Sequence, residues 1–573
     1  MNPKIRARSS VGPRSARPRR TPRARAAGPK PDGVALALYQ SLFAACAEEM
    51  GVTLMRTAHS PNIKERLDHS CAIFDRGGRL VAQAAHIPVH LGSLPRAVEA
   101  AIAAGPLAPG DVVLLNDPYA GGTHLPDLTL VSPVFLPRAR KGRAARAGVP
   151  GSGADFIVAS RAHHADVGGA APGSMPLARE VYEEGLRLPP VFLVRGGRLQ
   201  RDVLNLVLAN VRTPDERRAD LAAQLGAQAT GERRLVDLAR REGRGGPERL
   251  RAAAGALMDY AERRVRAALR RLPRGRFGFA DALDDDGLGT GPIRIAVTLE
   301  LAGDHVRADF AGSSPQTAGP VNAVEAVTRA ATYYAVRCVL GGDLPVNDGT
   351  FRPIDVRAPL GSVVNPRPPA AVAAGNVETS QRIVDVVLGA FARALPRRIP
   401  AASYGTMSNL LIGGTDPRDG RPFAYYETLA GGHGAGPGWD GASAMQAHMT
   451  NTRNTPVEAL EHAYPLRVVA TSIRRGSGGT GRWRGGDGIE RVIALRAPAR
   501  VTVISERRVL RPWGLAGGRP GARGVNRVRA RSGGPEARMP GKFQIDLVTG
   551  AMLSVASPGG GGFGDPNRRR PRR

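Results

Sequence analysis

Two short apolar segments flank a polar loop in the stretch Asp111-Val112-Val113-Leu114-Leu115-Asn116-Asp117-Pro118-Tyr119-Ala120-Gly121-Gly122-Thr123-His124-Leu125-Pro126-Asp127-Leu128-Thr129-Leu130-Val131. Residues 111–115 and 128–131 are rich in the aliphatic residues that favour strands. The loop between them carries His124 and Asp127. Because functional side chains commonly lie where strands end, this stretch predicts a sheet with a polar site at one edge.

A second segment supplies matching side chains about forty residues further on. A strand predicted over residues 156–160 leads into His163-His164-Ala165-Asp166. His and Asp three residues apart, joined by a His from a distant segment, form a ligand set suited to a divalent metal. Two neutral imidazoles and one carboxylate would leave positions open for water and a substrate oxygen. Two ordinary loops with solvated histidines remain the alternative at this point.

The pattern along the chain predicts an α+β fold, a multi-lobed mixed sheet-and-helix subunit with a helical arm and disordered basic tails. Helical spacing recurs over residues 33–58, 203–271, 321–340 and 380–394, and strand patterns occupy much of the remainder. The predicted regions are a disordered basic arm (1–31), an N-terminal α/β region with the metal site (32–202), a helical arm (203–275), a central α/β region (276–400), a glycine-rich C-terminal β region (401–566) and a basic tail (567–573).

The net charge of +31 is concentrated in a few places. Residues 1–31 contain ten Lys or Arg and no acid, residues 568–573 contain five Arg, and residues 138–146 contain five Lys or Arg. Such segments have too little apolar surface to form a core, so we expect two disordered tails and one basic loop. A nucleic-acid binder is the alternative that this charge raises, but we do not expect nucleic acid to be the partner.

Cysteine usage and hydropathy indicate a cytoplasmic protein. The three cysteines Cys46, Cys71 and Cys338 are far apart and form no CxxC pair, which fits a reducing compartment. Cys71 lies in a strand pattern and is expected in the core. No run approaches the roughly 18 apolar residues of a membrane span. The arginine-rich start has some features of a targeting signal, but it continues into the predicted helix without a cleavage site, and we interpret it as a disordered arm.

A series of short polar and glycine-rich motifs runs in order from about residue 34 to 566. The motifs are Arg56-Thr57-Ala58, Glu65-Arg66-Leu67-Asp68, His86-Ile87-Pro88-Val89-His90-Leu91-Gly92-Ser93, residues 116–127, residues 163–175, Asn347-Asp348-Gly349, Gly375-Asn376-Val377-Glu378-Thr379-Ser380, Gly431-Gly432-His433-Gly434, Thr450-Asn451-Thr452, Arg484-Gly485-Gly486-Asp487-Gly488 and residues 557–564. This series resembles the hydantoinase B/oxoprolinase family. That family includes the B-type chain of ATP-dependent N-methylhydantoinase, the corresponding half of 5-oxoprolinase and one subunit of acetone carboxylase.

The resemblance implies a B-type subunit of an ATP-dependent cyclic-amide hydrolase. ATP would activate a carbonyl or amide oxygen of a small cyclic amide as a phosphate ester on a partner A subunit, within a hetero-oligomer. No GxxxxGK[ST] loop occurs in this chain, which fits that division of labour. Residues 559–562 are glycines without a following Lys-Ser/Thr, so they are a weak phosphate cradle, and a tight turn is the alternative. The remaining alternatives are an acetone-carboxylase-type ligase subunit and a non-catalytic scaffold for the A subunit.

The resemblance also implies the metal ligands. They are His124, Asp127 and one of the pair His163/His164, and His163 is preferred because family members often have tryptophan at the next position. The metal would be manganese, zinc or iron. Residues 65–68 are expected to form a structural ion-pair turn rather than to bind substrate.

Four further residues are candidates for catalytic roles. His86 and His90 are separated by Pro88, which predicts an extended loop in which both could serve as acid–base groups, and a structural role is the alternative. Asp166 could orient a metal-binding histidine, and its alternative is a turn-capping role. His433 lies between paired glycines, a setting more typical of a site than of a core.

The charge distribution gives a first testable prediction. Deleting residues 1–31 and 567–573 should leave folding, metal content and activity nearly unchanged, because every matched motif lies inside those limits. Retention on a polyanion at low salt should weaken sharply, since fifteen basic residues are removed. Loss of activity or of a partner subunit in the truncated protein would show that the tails have a function.

Overall fold

The computed structural model describes residues 32–84, 87–90, 92–138, 153–342 and 344–569. The predicted arm 1–31, most of the insertion 137–154 and the last four residues lie outside the described residues. Within the described ranges the chain is an α+β protein with four sheets, as the sequence predicts. The proposed region boundaries remain a prediction.

The N-terminal region is built on a seven-stranded antiparallel sheet with the order β2-β1-β5-β4-β3-β6-β7. The three predicted strands around the His and Asp residues are confirmed. The strands are β1 (His69–Asp75), β2 (Leu80–Gln83), β3 (Val112–Leu115), β4 (Asp127–Val134), β5 (Phe156–His163), β6 (Val191–Arg195) and β7 (Arg198–Leu199). Cys71 in β1 is buried, as expected.

The register between β4 and β5 brings the two sequence segments together. Asp127, the first residue of β4, lies directly opposite His163, the last residue of β5. Opposed residues in an antiparallel pair project to the same face of the sheet with Cβ atoms about 4.5–5.5 Å apart. A functional pair is therefore created by strand pairing alone.

Helices cover this sheet. They are α1 (Gly33–Thr57), α2 (Pro61–Lys64), α3 (Leu94–Ala103), α4 (Val181–Glu184), α5 (Arg201–Ala209), α6 (Pro214–Arg241) and α7 (Gly246–Leu269). The predicted helical stretch over 203–271 is thus three helices. Helix α6 lies against the sheet, and Gln224 and Gln228 donate to the carbonyls of Leu128 and Leu130. In the described part of the chain, every helix is too short or too polar to cross a bilayer.

The central region combines a small sheet with two long buried helices. The sheet has the order β11-β10-β9-β8 and consists of β8 (Gly275–Leu283), β9 (Ile293–Leu301), β10 (Val306–Asp309) and β11 (Ile354–Arg357). The helices are α8 (Glu325–Leu340), α9 (Asp348–Phe351) and α10 (Ser380–Ala394). One turn of π-helix, Gly375–Thr379, leads directly into α10. The predicted helices at 321–340 and 380–394 are confirmed.

The C-terminal region consists of two sheets joined by glycine-rich segments, as predicted. One has the order β13-β12-β16-β19 and the other β14-β15-β20-β17-β18. The elements are β12 (Asn409–Thr415), β13 (Pro422–Glu427), α11 (Val457–Ala463), β14 (Leu466–Arg474), β15 (Gly488–Leu495), β16 (Ala499–Ile504), β17 (Val525–Arg529), β18 (Glu536–Met539), β19 (Lys542–Leu547) and β20 (Met552–Ala556).

The glycine run 559–562 is neither a tight turn nor a phosphate cradle. The N–H groups of Gly560, Gly561 and Gly562 donate to the carbonyls of Gly486, Ala402 and Arg519, at 2.9, 2.8 and 2.9 Å. A Cβ added at Gly560 would lie 2.0 Å from the carbonyl oxygen of His433. The run is therefore glycine because neighbouring backbones pack directly against it, and its amide donors are already used.

A buried cluster of charged side chains joins the central and C-terminal regions. Arg507 donates to Asp281 and Asp385, and Lys542 pairs with Glu506. Glu378, on the π-helical turn, accepts hydrogen bonds through Oε1 from the Met407 N–H at 3.1 Å and from Asn409 Nδ2 at 2.7 Å. Its Oε2 has no hydrogen-bond partner among the described residues. Burial and the nearby Glu506 raise the pKa of Glu378 to about 7.

This raised pKa predicts a pH-dependent stability. The contribution of Glu378 is fully present below its ordinary pKa of 4.5 and is lost as the pH rises through about 7. Glu378→Gln keeps an acceptor oxygen and removes the buried charge, so it should stabilise the protein at pH 8 by about 1–3 kcal/mol and have little effect near pH 4. Thermal unfolding of both proteins across this range tests the prediction. The exposed Glu48→Gln is the matched control, and an unchanged pH dependence in Glu378→Gln would contradict the prediction.

Candidate metal centre

His124, Asp127 and His163 meet at the end of the β4–β5 pair. A turn in which the Asp127 N–H donates to the His124 carbonyl at 3.2 Å brings His124 beside the start of β4. One nitrogen or carboxylate oxygen from each residue lies within 4.8 Å of the others, and all three side chains are buried. The structure therefore brings together the three residues that the sequence pattern and the resemblance had selected.

Asp127 is the centre of this group. Its Oδ1 lies 3.1 Å from His124 Nε2 and 3.4 Å from His163 Nδ1. Its Oδ2 accepts from the Thr123 hydroxyl at 2.6 Å and lies 3.4 Å from His90 Nε2. Four polar side chains thus converge on a single buried carboxylate.

The hydrogen bonding of His124 indicates which of its nitrogens faces the centre with a lone pair. Its Nδ1 lies 3.4 Å from the carbonyl oxygen of Ala373, and a carbonyl can only accept, so Nδ1 is the donor. His124 Nε2 and His163 Nε2 are buried and have no hydrogen-bond partner among the described residues. A lone pair that faces a carboxylate oxygen at 3.1 Å is favourable when a cation lies between them. The donor set therefore fits a divalent metal.

The electrostatics favour the ligand form of each group. Burial alone would raise the pKa of Asp127, but the nearby His124 and His90 outweigh burial and hold that pKa well below its usual range. Burial lowers the pKa of His90 and of His163 below 6.5. An ionised Asp127 and a neutral His163 are the forms in which these two side chains bind metals.

A small cavity of about 20 Å³ adjoins the centre. This volume accommodates a water molecule or an ion but is too small for a ring. The walls come from all three regions of the chain. The lining residues are Asp68, Ile87, Val89, His90, Asp127, His163, Asn376, Val377, Met407, Tyr426, Thr428, Met449, Thr450 and Thr452.

The imidazole of His163 is held by an aromatic contact. Tyr426 stacks on it with ring centroids 4.5 Å apart and an interplanar angle of 20°. The buried guanidinium of Arg66 lies 4.7 Å from the centroid of the Tyr426 ring and donates to the Tyr426 carbonyl and to Thr428. Arg66 thus has the structural role predicted for residues 65–68.

Asp68, from the same four residues, differs from that prediction because it lines the cavity. Burial raises the pKa of its carboxyl group, although the nearby His163 acts in the opposite direction. Leu67 adopts a positive φ of 58°, which changes the direction of the chain just before Asp68. The residue types of 65–68 do not predict that turn, so the sequence analysis missed Asp68.

His164 points away from the centre. Its Nε2 lies 3.0 Å from Gln224 Oε1 on α6, and burial lowers its pKa to about 4. Successive side chains along a strand project to opposite faces, so only one of the two histidines can face Asp127. The geometry agrees with the preference for His163.

His90 adjoins the centre, as expected for an acid–base candidate. Its Nδ1 lies 2.8 Å from the hydroxyl of Ser70 while its Nε2 faces Asp127. The backbone around it is a short 3-10 turn, Pro88–His90, and not the extended loop predicted from Pro88. His86 lies outside the described residues.

Asp166 and His433 do not belong to the centre. Asp166 accepts from the N–H groups of Gly168 and Thr213, each at 3.1 Å, and pairs with Arg212. It therefore caps a turn, because the chain leaving β5 presents unpaired amide donors there. His433 Nε2 donates to the Gln446 carbonyl at 2.8 Å, and the residue does not line the cavity. The glycines beside it allow close backbone packing and do not mark a site.

The comparisons with known proteins agree with this fold. The sequence profile of the Hydantoinase B/oxoprolinase family matches residues 32–566, so the chain belongs to that family. An uncharacterised protein of Methanocaldococcus jannaschii is 39% identical, over 94% of this chain and 92% of its own length. 5-Oxoprolinase 1 of Arabidopsis thaliana is 38% identical over 93% of this chain, which spans 42% of that longer protein.

A protein of Pseudomonas sp. strain NS671, provisionally named as the B-type chain of a D-/L-hydantoinase, is 30% identical over 92% of this chain and 88% of its own length. Among solved structures, the ATP-dependent caprolactamase from Pseudomonas jessenii superposes with a TM-score of 0.85 at 30% identity, over 94% of this chain and 92% of that one. An acetone carboxylase structure reaches a TM-score of 0.83 at 18% identity, over 93% of this chain and 76% of that one, and shares the fold.

The geometry predicts a metal that depends on Asp127. The purified chain should contain manganese, zinc or iron, and Asp127→Ala should lose it, because the carboxylate that every other side chain faces is removed. The loss of affinity should exceed the about 10- to 100-fold that removal of an outer hydrogen-bond partner costs. Elemental analysis of both proteins measures it. His164→Gln is the matched control and should retain metal, and equal occupancy in wild type and Asp127→Ala would remove this site from consideration.

Proposed function

We propose that this chain is the B-type subunit of an ATP-dependent cyclic-amide hydrolase. It would hydrolyse a hydantoin-, 5-oxoproline- or lactam-like ring after a partner A subunit has phosphorylated the amide oxygen. The observation that carries this proposal is the buried His124/Asp127/His163 set beside a cavity in a member of the hydantoinase B/oxoprolinase family. The names of the hydantoinase, 5-oxoprolinase and caprolactamase relatives support the substrate class.

The three ligand side chains define what a metal would contribute. His124, Asp127 and His163 would hold it, and a divalent ion there would polarise a substrate oxygen or lower the pKa of a bound water. The chain's own groups must then orient the substrate and exclude water. The cavity lining offers hydroxyls from Thr428, Thr450 and Thr452 and an apolar wall from Met407 and Met449, and it would have to widen to admit a ring amide.

Ring opening also needs a group that removes a proton from the attacking water and one that delivers a proton to the leaving nitrogen. The cleaved C–N bond leaves an acyl phosphate, which a second water would hydrolyse to the carboxylate and inorganic phosphate. Asp68 and His90 both line the cavity. Burial raises the pKa of Asp68 and lowers that of His90. We assign Asp68 as the general base, since it lines the same cavity as Asp127 and His163, and His90 as the proton carrier held by Ser70.

An A-type subunit is the expected partner, because ATP binding and ring hydrolysis are divided between two chains. The family relatives from plants and fungi are about twice as long as this chain, which spans 42% of the Arabidopsis protein. The sequence contains no GxxxxGK[ST] phosphate loop. An A-type ATP-binding subunit would therefore supply ATP within a hetero-oligomer, and the cytoplasm remains the predicted compartment.

This proposal predicts a strict dependence on the partner. The isolated chain should not hydrolyse ATP, and adding an A-type subunit should give ATP turnover that depends on a cyclic amide. Assays of ATP consumption and ring opening over hydantoin, 5-oxoproline and caprolactam measure both steps. ATPase activity in the isolated, contaminant-free chain would count decisively against the division of labour.

Single substitutions separate catalysis from scaffolding. Asp68→Asn and His124→Ala should slow ring opening by about 10²- to 10⁴-fold, the usual contribution of a positioned acid–base group or more. Binding to the A subunit should be unchanged in both. A non-catalytic scaffold would tolerate both substitutions, so full ring-opening activity in His124→Ala would favour that alternative. His433→Gln, which alters a histidine outside the cavity, is the control.

A further inference from the structure

Glu184 is a buried carboxylate that the proposed chemistry does not use. It is the last residue of α4 and is 0% exposed. Within the described ranges its Oε2 has no hydrogen-bond partner. Burial raises its pKa to about 8, so ionising this carboxyl group inside the fold is costly. Its presence therefore calls for a role other than stability.

The partners of its other oxygen point to that role. Glu184 Oε1 accepts from the N–H groups of Val372 and Ala373, both at 2.8 Å. The carbonyl of Ala373 in turn accepts from His124 Nδ1. Oε1 of Glu184 thus holds the backbone of Val372 and Ala373 in place. The Ala373 carbonyl in turn sets the tautomer and ring orientation of His124, one of the three candidate metal ligands.

The same segment is anchored at neighbouring residues and then enters the cavity wall. The Tyr119 hydroxyl donates to the Ala370 carbonyl at 2.6 Å, and Asn322 Nδ2 donates to the Ala371 carbonyl at 3.0 Å. The π-helical turn that begins at Gly375 carries Asn376 and Val377 to the cavity. Residues 370–374 therefore connect a set of buried anchors with both His124 and the cavity wall.

We propose that Glu184 is a positioning residue for the metal centre. It holds residues 372–373 so that the Ala373 carbonyl keeps His124 Nδ1 protonated and directs His124 Nε2 toward Asp127. This role rests on the proposed metal centre. It is distinct from the ligand set, since Glu184 acts through the backbone of Ala373 and does not face Asp127.

Cobalt(II) titration of the full chain, followed by its visible absorption in competition with a chelator, tests the proposal. Glu184→Ala removes the acceptor and should weaken cobalt binding by about 10- to 100-fold, the usual cost of losing an outer partner of a ligand histidine. Glu184→Gln keeps an acceptor oxygen and should bind within about threefold of wild type. Equal affinity in Glu184→Ala and wild type would overturn the proposal.

The neighbouring Glu183 provides a matched control. Its carboxylate accepts from the N–H groups of Arg179 and Glu180 at the start of α4 and does not contact residues 372–373. Glu183→Ala should bind cobalt like wild type. If it weakens binding as much as Glu184→Ala does, the effect comes from α4 itself and the proposal is wrong.

Two measurements keep the test decisive if Glu184→Ala folds poorly or if cobalt does not bind. Tyr119→Phe removes a different anchor of the same segment and should weaken cobalt binding less than Glu184→Ala, while unchanged affinity would count against the proposal. Hydrogen exchange of residues 370–376 in the metal-free proteins should be faster in Glu184→Ala than in Glu184→Gln, and equal exchange overturns the anchor. A wild-type chain that binds no cobalt would refute the metal centre, whereas normal binding in every variant would refute only the role of Glu184.

Discussion

The structure depends on the register between β4 and β5, because this pairing places the carboxylate of Asp127 opposite His163 in a fully buried position. Burying a charge is costly unless it is compensated by hydrogen bonds and opposite charge. Thr123, His124, His163 and His90 converge on the Asp127 carboxylate for this reason. A one-residue slip in the register would send His163 to the other face of the sheet, where His164 contacts Gln224. The pairing therefore determines the fold of the N-terminal region and the composition of the site at once.

The three regions of the chain each contribute a different part of the centre. The N-terminal sheet supplies the ligands, the central region supplies the Ala373 carbonyl and Asn376, and the C-terminal region supplies Tyr426 and the threonine hydroxyls. These parts lie far apart in sequence, so the cavity exists only when all three regions are packed together. The buried charged cluster around Arg507 and Glu506 joins the central and C-terminal regions. Arg66 joins the N-terminal region to the C-terminal one through the Tyr426 carbonyl and Thr428. Local unfolding of any one region would therefore disrupt the cavity at the candidate metal centre.

Sequence reasoning was most successful where a pattern is local. Strand and helix periodicity predicted β3, β4, β5 and α1, and the three-residue spacing of His124 and Asp127 together with the family motifs selected the ligands. It failed where a role depends on direction. Asp68 lines the cavity after a positive φ at Leu67 that the residue types do not indicate. Asp166 has the turn-capping role, which the sequence could not separate from the orientation of a histidine. The glycines around His433 looked like a site, but they serve close backbone packing. Residue type alone does not encode these orientations.

Under the proposed function, the charges of the site explain why a divalent cation and a phosphorylated substrate belong together. The carboxylates of Asp68 and Asp127 make the described cavity lining acidic, while burial lowers the pKa of His90 and His163 and keeps those imidazoles neutral. A phosphate ester would bring further negative charge into this setting, and like charges at short range in a low-dielectric site repel strongly. A divalent cation held by His124, Asp127 and His163 would offset both the carboxylates and the incoming ester. The ligand set His124, Asp127 and His163 is then required for substrate binding as well as for catalysis. This double requirement accounts for the number of buried groups that hold these three side chains in place.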